Sequence, residues 1–403
     1  MKKIAVLGPG FLPIPSVRNG GVEQLTTQLI MANEKEETFY FDVFTVYDKQ
    51  LSSFVLSRTT LKYINVNILE KIIQKVINKI YYLFKIHKMF DFYSIKAVKM
   101  LRNTPNDYDY ILIENNMYLY KYINENLHKK SKMIFHLHND VGDIYKPYEL
   151  CNYISKTAFR VITCSEFLKK RFDTVVKYQK AVVLNNSIDL NRFHFDENLR
   201  NKIRKEYNIS NNSIVFSYIG RIVKPKGFLE CLKAFVELAK NNKNIYLFVI
   251  GSNGFGKNIK DKYYKEINKI SNMYYDQIIY TGEIKNSLIN SFISAADIVV
   301  VPTLIEEAFG LVAIEAMACK RPLLVTDSGE LPNLVNVSNG IVINRKNIVL
   351  NLRNGMEYYI NNKNKIVEYG NNGYNYVISN KDYNIDNYYH NFIKLISNEE
   401  GEY

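Results

Sequence analysis

The sequence lacks several features that would assign the protein to a common class. Tryptophan is absent from its 403 residues, and its four cysteines stand singly, with no C-x-x-C pair. Four isolated cysteines are too few for a disulfide scaffold, so we expect four buried thiols in a reducing cytoplasm. Apolar runs stop short of the 18 residues that a transmembrane helix needs, and the opening run IAVLG is too short for a signal peptide.

Acidic residues are outnumbered, and the formal net charge is +13. The residues through Leu190 carry 27 basic and 18 acidic side chains, against 26 and 22 in the remainder. A basic chain favours anionic partners such as nucleic acid, an acidic membrane face or a phosphorylated small molecule. No helix-turn-helix, zinc-finger or RNP-type aromatic pattern accompanies the charge, so we expect no nucleic-acid partner.

Short Val- and Ile-rich runs alternate with helical patterns, which predicts parallel sheets covered on both faces. The runs are KIAVLG, FDVFTVY, YILIENN, KMIFHLHN, RVITCS, AVVLNNS, IVFSYIG, IYLFVIG, IIYTGEI, DIVVVPT and RPLLVTD. The pattern occurs twice and pauses in a polar stretch around Leu190. We predict two doubly wound α/β domains, 1–190 and 191–380, facing across a cleft at the carboxyl ends of their strands. A C-terminal helix within 381–403 would pack back on the N-terminal domain.

Two glutamates, Glu307 and Glu315, flank the apolar segment in IEEAFGLVAIEA. The run DIVVVPT predicts a strand, and FGLVAIEAMACK a helix that starts near Phe309, with Glu315 nearly two turns inside it. Unpaired N–H groups at a helix start form a receptor for phosphate. Ionised carboxylates beside them accept hydrogen bonds from sugar hydroxyls. Together they favour a nucleotide sugar; the alternative is one glutamate that stabilises the helix dipole and one that is solvated.

The segment EEAFGLVAIEAMACKRPLLVTDSGELPNLV resembles the E-x7-E signature of retaining glycosyltransferases of family 4. The resemblance implies a GT-B fold with two Rossmann-like domains. It assigns Glu307 to the donor sugar's hydroxyls and Glu315 to the ribose. Lys320 departs from the family, which usually has a glycine there to close the helix, so we expect a modest stability cost. The donor site so implied comprises Gly20, Gly21, Arg221, Lys226, Glu307, Phe309, Gly310, Leu311, Val312 and Glu315.

A second element, GRIVKPKGFLECLKAF, resembles the G-R-x4-K-G segment of the same family. Arg221 and Lys226 would neutralise the diphosphate and stabilise the charge that develops on the leaving phosphate. The alternative is a surface loop with two solvated bases. GGVEQLTTQL resembles the family's glycine loop, in which Gly20 and Gly21 allow close approach to the donor. An NAD fingerprint fits poorly, because Pro13 stands at its third glycine position.

FHLHND closes a strand of the first domain, and the family often has a histidine at the position of His138, close to the donor sugar. We place His138 in the site, with a core histidine as the alternative, and we expect His136 to face the other side of the sheet. Asp107-Tyr108-Asp109 spells the D-x-D metal motif of a different glycosyltransferase fold. It precedes the strand YILIENN, so it would lie at the end of the sheet opposite the cleft. We therefore predict no metal and no cofactor.

LEKIIQKVINKIYYLFKIHKM, within residues 70–102, is basic and amphipathic, with Lys71, Lys75 and Lys79 spaced four apart. Such a stretch suits an anionic membrane surface, or alternatively a helix that covers the first sheet while its lysines reach water. The first domain would bind a glycan or polyprenyl-linked acceptor at the inner face of the cell membrane.

The resulting prediction is a retaining, metal-independent hexosyltransferase of bacterial surface polysaccharide synthesis that uses a nucleoside diphosphate sugar, with UDP favoured. Its catalytic residues would be Glu307, His138, Arg221 and Lys226. One alternative is a nucleotide-sugar epimerase of the same fold, which would consume donor without an acceptor. Another is a basic protein that only binds membrane or nucleic acid and would tolerate loss of Glu307.

Overall fold

The computed structural model falls into two compact units, one formed by Met1–Asn186 with the chain from Asp386 onward, the other by Ser187–Ile385. The structure describes residues 1–18, 20–84, 89–104, 107–127, 130–142, 148–251 and 261–397. The sequence predicted the boundary between the two domains near Leu190, and the two units divide between Asn186 and Ser187. Residues 85–88 of the basic amphipathic stretch and 398–403 of the C-terminal segment lie outside the described residues.

The first unit is a seven-stranded sheet covered by helices. Its strands are β1 (Lys2–Leu7), β2 (Phe39–Thr45), β3 (Thr59–Tyr63), β4 (Tyr110–Glu114), β5 (Lys132–Leu137), β6 (Arg160–Thr163) and β7 (Ala181–Val183). Its helices are α1 (Gly21–Glu36), α2 (Ile68–Leu83), α3 (Phe92–Arg102), α4 (Met117–Asn126), α5 (Tyr148–Thr157), α6 (Glu166–Val175) and α15 (Ile385–Ser397). The strands pair in parallel in the order β3-β2-β1-β4-β5-β6-β7.

The second unit repeats this plan with six strands. They are β8 (Ile214–Ile219), β9 (Ile245–Ile250), β10 (Ile278–Gly282), β11 (Ile298–Val301), β12 (Leu323–Thr326) and β13 (Gly340–Ile343). Its helices are α7 (Glu197–Glu206), α8 (Phe228–Ala239), α9 (Lys262–Met273), α10 (Ile289–Ala295), α11 (Leu311–Ala318), α12 (Leu331–Leu334), α13 (Ile348–Asn361) and α14 (Lys363–Ser379). The parallel order is β10-β9-β8-β11-β12-β13. Each sheet therefore reverses its order once, between β1 and β4 and between β8 and β11, where a crevice forms at the strands' carboxyl ends.

Every predicted strand is present, and the sequence missed two. The central strands are continuous apolar runs because both faces are covered; all five residues of β4 are buried. The missed strands, β3 and β13, are short and stand at sheet edges. Both leave residues exposed, including Tyr63 and Val342, so neither gives an unbroken apolar run.

The four cysteines are buried and free, as predicted. Among the described ranges, every helix falls short of the length and hydropathy that crossing a bilayer requires. Helix α15 packs within the first unit, where the Tyr389 hydroxyl donates to Asn33 Oδ1 on α1 at 2.7 Å.

Candidate functional site

In the second unit, the candidate site forms where the sheet reverses its order. The loop after β8 carries Arg221 and Lys226, and the loop after β11 carries Glu307. Gly227, with φ 68°, lies so close to Pro302 that a Cβ there would stand 1.8 Å from the Pro302 carbonyl oxygen. Only glycine permits this approach, which holds the two loops together.

Lys226 and Glu307 form an ion pair across this junction. Lys226 Nζ lies 2.7 Å from Glu307 Oε2, and both side chains remain partly exposed. Arg221 is exposed, and its carbonyl oxygen accepts from the Tyr218 hydroxyl at 2.7 Å. Within the described part of the chain, no hydrogen bond or ion pair holds its guanidinium. Lys226 and Glu307 thus meet, Arg221 lies in the same loop as Lys226, and these side chains keep hydrogen-bonding capacity for a ligand.

The neighbouring glutamates of IEEAF do different things. Glu306 Oε2 accepts from Gly329 N at 2.6 Å, and Oε1 lies 3.0 Å from the guanidinium of Arg345. Glu330 N donates to the Glu307 carbonyl oxygen at 2.9 Å. The loop after β12 therefore braces the backbone at Glu307, while Glu306 anchors that brace. The sequence interpretation missed Glu306, Gly329 and Arg345; the SGE that follows the strand RPLLVTD was the available signal.

Helix α11 begins at Leu311, two residues later than predicted, with Gly310 as its N-cap. Phe309 stays in the loop because Gly310, with φ 97°, has a left-handed conformation that keeps the helix from starting earlier; the Phe309 ring is buried, edge-on to Tyr383 with centroids 6.0 Å apart. Glu315 is consequently the fifth helical residue, so the prediction that it lies nearly two turns inside was wrong. The N–H groups of Leu311 and Val312, in the first turn, have no intrahelical acceptor, whereas the N–H of Ala313 donates to the Gly310 carbonyl oxygen at 2.9 Å.

Glu315 has an unusual acidity. Burial raises its pKa to about 7, against the opposing charge of Arg192. Arg192 also donates to Asn286 Oδ1 at 2.5 Å. It lies in the polar stretch around Leu190, for which the sequence suggested no role. At neutral pH, Glu315 is therefore poised between an acid that donates and a carboxylate that only accepts.

Lys320 closes α11 in the left-handed conformation that the family's glycine would adopt. Its φ is 56°, and Arg321 N donates to the Ala316 carbonyl at 2.9 Å. This confirms that the position ends the helix. A side chain in this conformation costs about 1 kcal/mol. The Lys320 ammonium lies 5.0 Å from the ring centre of Tyr374, which partly offsets that cost.

In the first unit, the carboxyl ends of β4 and β5, next to the sheet reversal, gather two histidines around one carboxylate. His136 Nδ1 and His138 Nε2 lie 3.1 and 2.8 Å from Glu114 Oε2. The two rings are 3.9 Å apart between centroids, and all three side chains are buried. The expectation that His136 faces the other side of the sheet was wrong, since residues two apart in a strand share a face.

The charges of this cluster follow from its geometry. Burial would raise the pKa of Glu114, but His136 and His138 outweigh it and lower that pKa to about 2. Burial, with the charge of His136, lowers the pKa of His138 to about 4. A carboxylate only accepts, so Nε2 of the neutral His138 carries the hydrogen. Its Nδ1 is then a buried acceptor with no partner among the described residues, and a ligand hydroxyl would satisfy it.

The same three side chains are the one group of His, Cys, Asp and Glu in the described ranges whose ligand atoms lie within 4.8 Å of one another. A cation there would replace both ring hydrogens that now face Glu114. The hydrogen-bonded arrangement satisfies Glu114, so the cluster fits the positioning of histidine better than metal binding. Asp109 precedes β4 and accepts from Lys3 N at 2.7 Å, at the opposite end of the sheet as predicted.

The predicted glycine loop lies in the first unit with His138. Helix α1 begins at Gly21, and Gly20 is its N-cap. A Cβ at Gly20 would come within 2.3 Å of Glu23 Oε2, so this glycine makes room for a buried carboxylate. Burial raises the pKa of Glu23, and the charge of Glu114 adds to the shift. The sequence interpretation did not identify Glu23.

A pocket of about 340 Å³ opens at the carboxyl ends of β1, β2 and β3. Its lining includes the aromatic rings of Phe11 and Tyr47 and the side chains of Arg18, Asp48 and Lys71. Arg18 lies 2.7 Å from Asp48. Aromatic faces beside charged groups suit a hydroxyl-rich or phosphorylated ligand.

Comparison with known proteins links the second unit to a family. Residues 200–376 match the model of the family described as glycosyl transferases group 1. The lipopolysaccharide 1,2-N-acetylglucosaminetransferase of Salmonella typhimurium is 30% identical over 233 residues, 58% of this chain and 58% of that protein. The capsular polysaccharide biosynthesis glycosyltransferase CapM of Staphylococcus aureus is 30% identical over 193 residues, 46% of this chain and 48% of that protein. The chain thus spans about half the length of the curated relatives it matches.

A solved structure covers nearly the whole chain. HepE of Anabaena, crystallised in complex with UDP and glucose, superposes with a TM-score of 0.75 at 17% identity over 98% of this chain and 100% of that one. The fold is GT-B. The GT-B prediction from the sequence is confirmed. The two parallel sheets with the same internal strand order agree with this fold. The matched family segment contains Arg221, Lys226, Glu307 and Glu315.

Proposed function

We propose that the protein is a group 1 glycosyltransferase that moves a sugar from a nucleoside diphosphate sugar to a hydroxyl of a glycan or lipid-linked acceptor. The Lys226–Glu307 pair carries this proposal, because it sets a cation and a carboxylate side by side at the sheet reversal. Arg221, Lys226 and the N–H groups of Leu311 and Val312 bind the diphosphate. Glu307 accepts hydrogen bonds from the transferred sugar, and Glu315 from the ribose.

The charge arrangement suits departure of a diphosphate. The bond between the anomeric carbon and the phosphate oxygen breaks, and negative charge grows on the leaving group. Arg221 and Lys226 stabilise that charge more in the transition state than in the ground state. They would thereby supply the electrostatic role that a metal has elsewhere.

Retention of the anomeric configuration is the stereochemistry we propose. Glu307 is engaged by Lys226 and assigned to ring hydroxyls, so no carboxylate is assigned as a nucleophile. The acceptor oxygen instead bonds to the anomeric carbon on the face that the phosphate leaves, and its proton passes to the leaving phosphate oxygen. The resemblance of the E-x7-E segment to retaining enzymes supports this assignment.

Within the first unit, the unpartnered Nδ1 of His138 accepts a hydrogen bond from a sugar hydroxyl, while Glu114 holds the ring in the required tautomer. The acceptor occupies the pocket that contains Arg18 and Lys71.

A UDP-sugar is the proposed donor, and surface polysaccharide synthesis at the inner face of the cell membrane is the proposed setting. Support comes from HepE, crystallised with UDP and glucose, and from relatives named for lipopolysaccharide and capsule synthesis.

A thermal-shift screen of UDP-, GDP-, ADP- and TDP-sugars tests the proposal. A saturating donor stabilises the folded chain by about 3 kcal/mol, which raises Tm by roughly 3–7 °C. A donor that raises Tm is then incubated with acceptors, with and without chelator. Proton NMR measures the anomeric configuration of the product. No shift with any donor contradicts the whole proposal. Donor conversion without acceptor identifies an epimerase, and an inverted product or inhibition by chelator contradicts the mechanism.

A further inference from the structure

Helix α2 presents its polar side to the protein. None of its residues is buried. Gln74 and Asn78 hydrogen-bond the backbone of the segment that leads into α3, at 2.8–3.0 Å. Glu70, one turn earlier on the same face, pairs with Lys96 at 2.7 Å. Polar contacts therefore help to hold α2 on the first unit, beside the partly buried Ile77 and Tyr81 on the same face.

The opposite side of α2 is apolar and faces solvent. At 100° per residue, Leu69, Ile72, Val76, Ile80 and Leu83 lie roughly half a turn from Gln74. Their exposed fractions run from 44% at Ile80 to 66% at Leu69. An amphipathic helix on a protein surface normally buries this stripe. The alternative that α2 covers the first sheet with its apolar face therefore does not hold.

Lysines run along one flank of the apolar stripe. Lys71, Lys75 and Lys79 are all exposed and fall on the same side of the helix. The single acidic residue of α2 is Glu70, and it lies on the inner face next to Lys96. The outward surface thus combines apolar side chains with three positive charges and no negative one.

We propose that α2 docks the protein on an anionic lipid bilayer, with the apolar stripe at the acyl boundary and the lysines among the headgroups. Anionic headgroups neutralise the lysine row, and acyl chains cover the stripe. A second copy of the chain fits less well, because an identical helix brings no acidic residue to meet those lysines. Lys71 also lines the pocket proposed for the acceptor, so docking would place that pocket at the membrane. Only this last point rests on the proposed function.

Vesicle flotation of the full chain tests the docking. We expect the chain to float with vesicles of phosphatidylglycerol and phosphatidylcholine, and much less with phosphatidylcholine alone. Changing the three lysines to glutamine should lower the partition coefficient about a hundredfold, since each is worth about 1 kcal/mol near an anionic surface. The matched control makes the same charge change at three exposed lysines of α9: Lys262, Lys265 and Lys269.

The apolar stripe needs its own variant. Ile72→Ser with Val76→Ser should also lower vesicle binding without lowering Tm, because neither side chain is buried. Docking is overturned if the unchanged chain stays unbound at low salt, or if the α2 and α9 lysine variants bind equally. Docking is also overturned if the chain does not bind vesicles and light scattering shows a dimer that becomes a monomer in the serine variant. That result would assign the apolar stripe to contact with a second copy. The donor thermal shift, run on the same samples, separates the two proposals: a chain that binds donor but does not float contradicts docking alone.

Discussion

The two units share a strand order but differ in the segment that joins their third strand to their fourth. Between β10 and β11 this segment contains α10, a helix of seven residues of which six are buried. Between β3 and β4 it contains α2 and α3, and α2 buries no residue. In the first unit, α3 with its five buried residues is the core element, and α2 is an exposed addition to it. A helix that the core does not need is where a partner-binding surface can be added.

The two sheet reversals differ in a second way. At the second unit's reversal, Arg221 is exposed and Lys226 and Glu307 are partly exposed. Beside the first unit's reversal, Glu114 and His138 are buried, and burial, with the charge of His136, lowers the pKa of His138 to about 4 and so favours a neutral imidazole. Exposed charges suit a diphosphate, whereas a neutral buried acceptor suits a sugar hydroxyl. The following substitutions test whether the exposed charged residues of the second unit bind a diphosphate and the buried cluster of the first unit binds a sugar hydroxyl.

The largest effect is expected at Glu307. Glu307→Gln keeps the shape but removes the charge that faces Lys226 and the sugar. We expect kcat for transfer to fall at least about a hundredfold, as for loss of a preorganised charge partner, while the circular dichroism spectrum stays unchanged.

Glu306 is the matched control for that change. Glu306→Gln weakens the contacts with Arg345 and Gly329, so it should lower the free energy of unfolding by about 1–3 kcal/mol. Turnover per folded molecule should change far less than in Glu307→Gln. A Glu307→Gln variant that keeps the normal kcat would remove Glu307 from the proposed chemistry.

Much of this arrangement was predictable, and the misses have physical causes. Apolar runs predicted the central strands because both faces of a parallel sheet are covered, and the same logic fails for the edge strands β3 and β13. The E-x7-E segment pointed to Glu307, but the brace that holds it comes from the loop after β12, far along the chain. A single strand's pattern likewise could not show that Glu114, on the neighbouring strand β4, would meet both histidines.

The next effect concerns the phosphate-binding cations. Arg221→Ala or Lys226→Ala should weaken UDP binding about 10- to 100-fold, since hydrogen bonds between charged groups are worth about 1.5–3 kcal/mol. Calorimetry measures the Kd. Lys224, an exposed lysine in the same turn, is the control, and Lys224→Ala should leave the Kd nearly unchanged. A comparable loss in the control would mean that the loop acts only through its overall charge.

The buried cluster of the first unit should reveal itself in the pH dependence of stability. The folded pKa of His138 is about 4, below its ordinary value, so between pH 6.5 and 4 the unfolded chain binds a proton that the folded chain does not. The contribution of His138 to the free energy of unfolding therefore falls as the pH falls, by about 2 kcal/mol from pH 7 to pH 5. Urea unfolding at both pH values measures it.

His138→Gln should remove most of that difference. The matched change at the exposed His390 on α15 should not. If both variants reduce the difference in unfolding free energy between pH 7 and pH 5 equally, the buried neutral imidazole of His138 does not cause that difference. The contrast between the two sheet reversals is then weaker.

The smallest effect belongs to Glu315, whose pKa of about 7 lies in the assay range. Ribose hydroxyls favour the carboxylate, so donor affinity should rise about tenfold from pH 6 to pH 8, as ionisation goes from about a tenth to about nine-tenths. The stability of the donor-free protein changes in the opposite direction. Because the folded pKa of Glu315 is raised, its contribution to the free energy of unfolding is lost as the pH rises through 7. The titration should use a nucleotide sugar, since the terminal phosphate of free UDP itself ionises near pH 6. Glu315→Gln should show a flat profile, and a retained tenfold rise would show that the second reversal takes its pH dependence from another group.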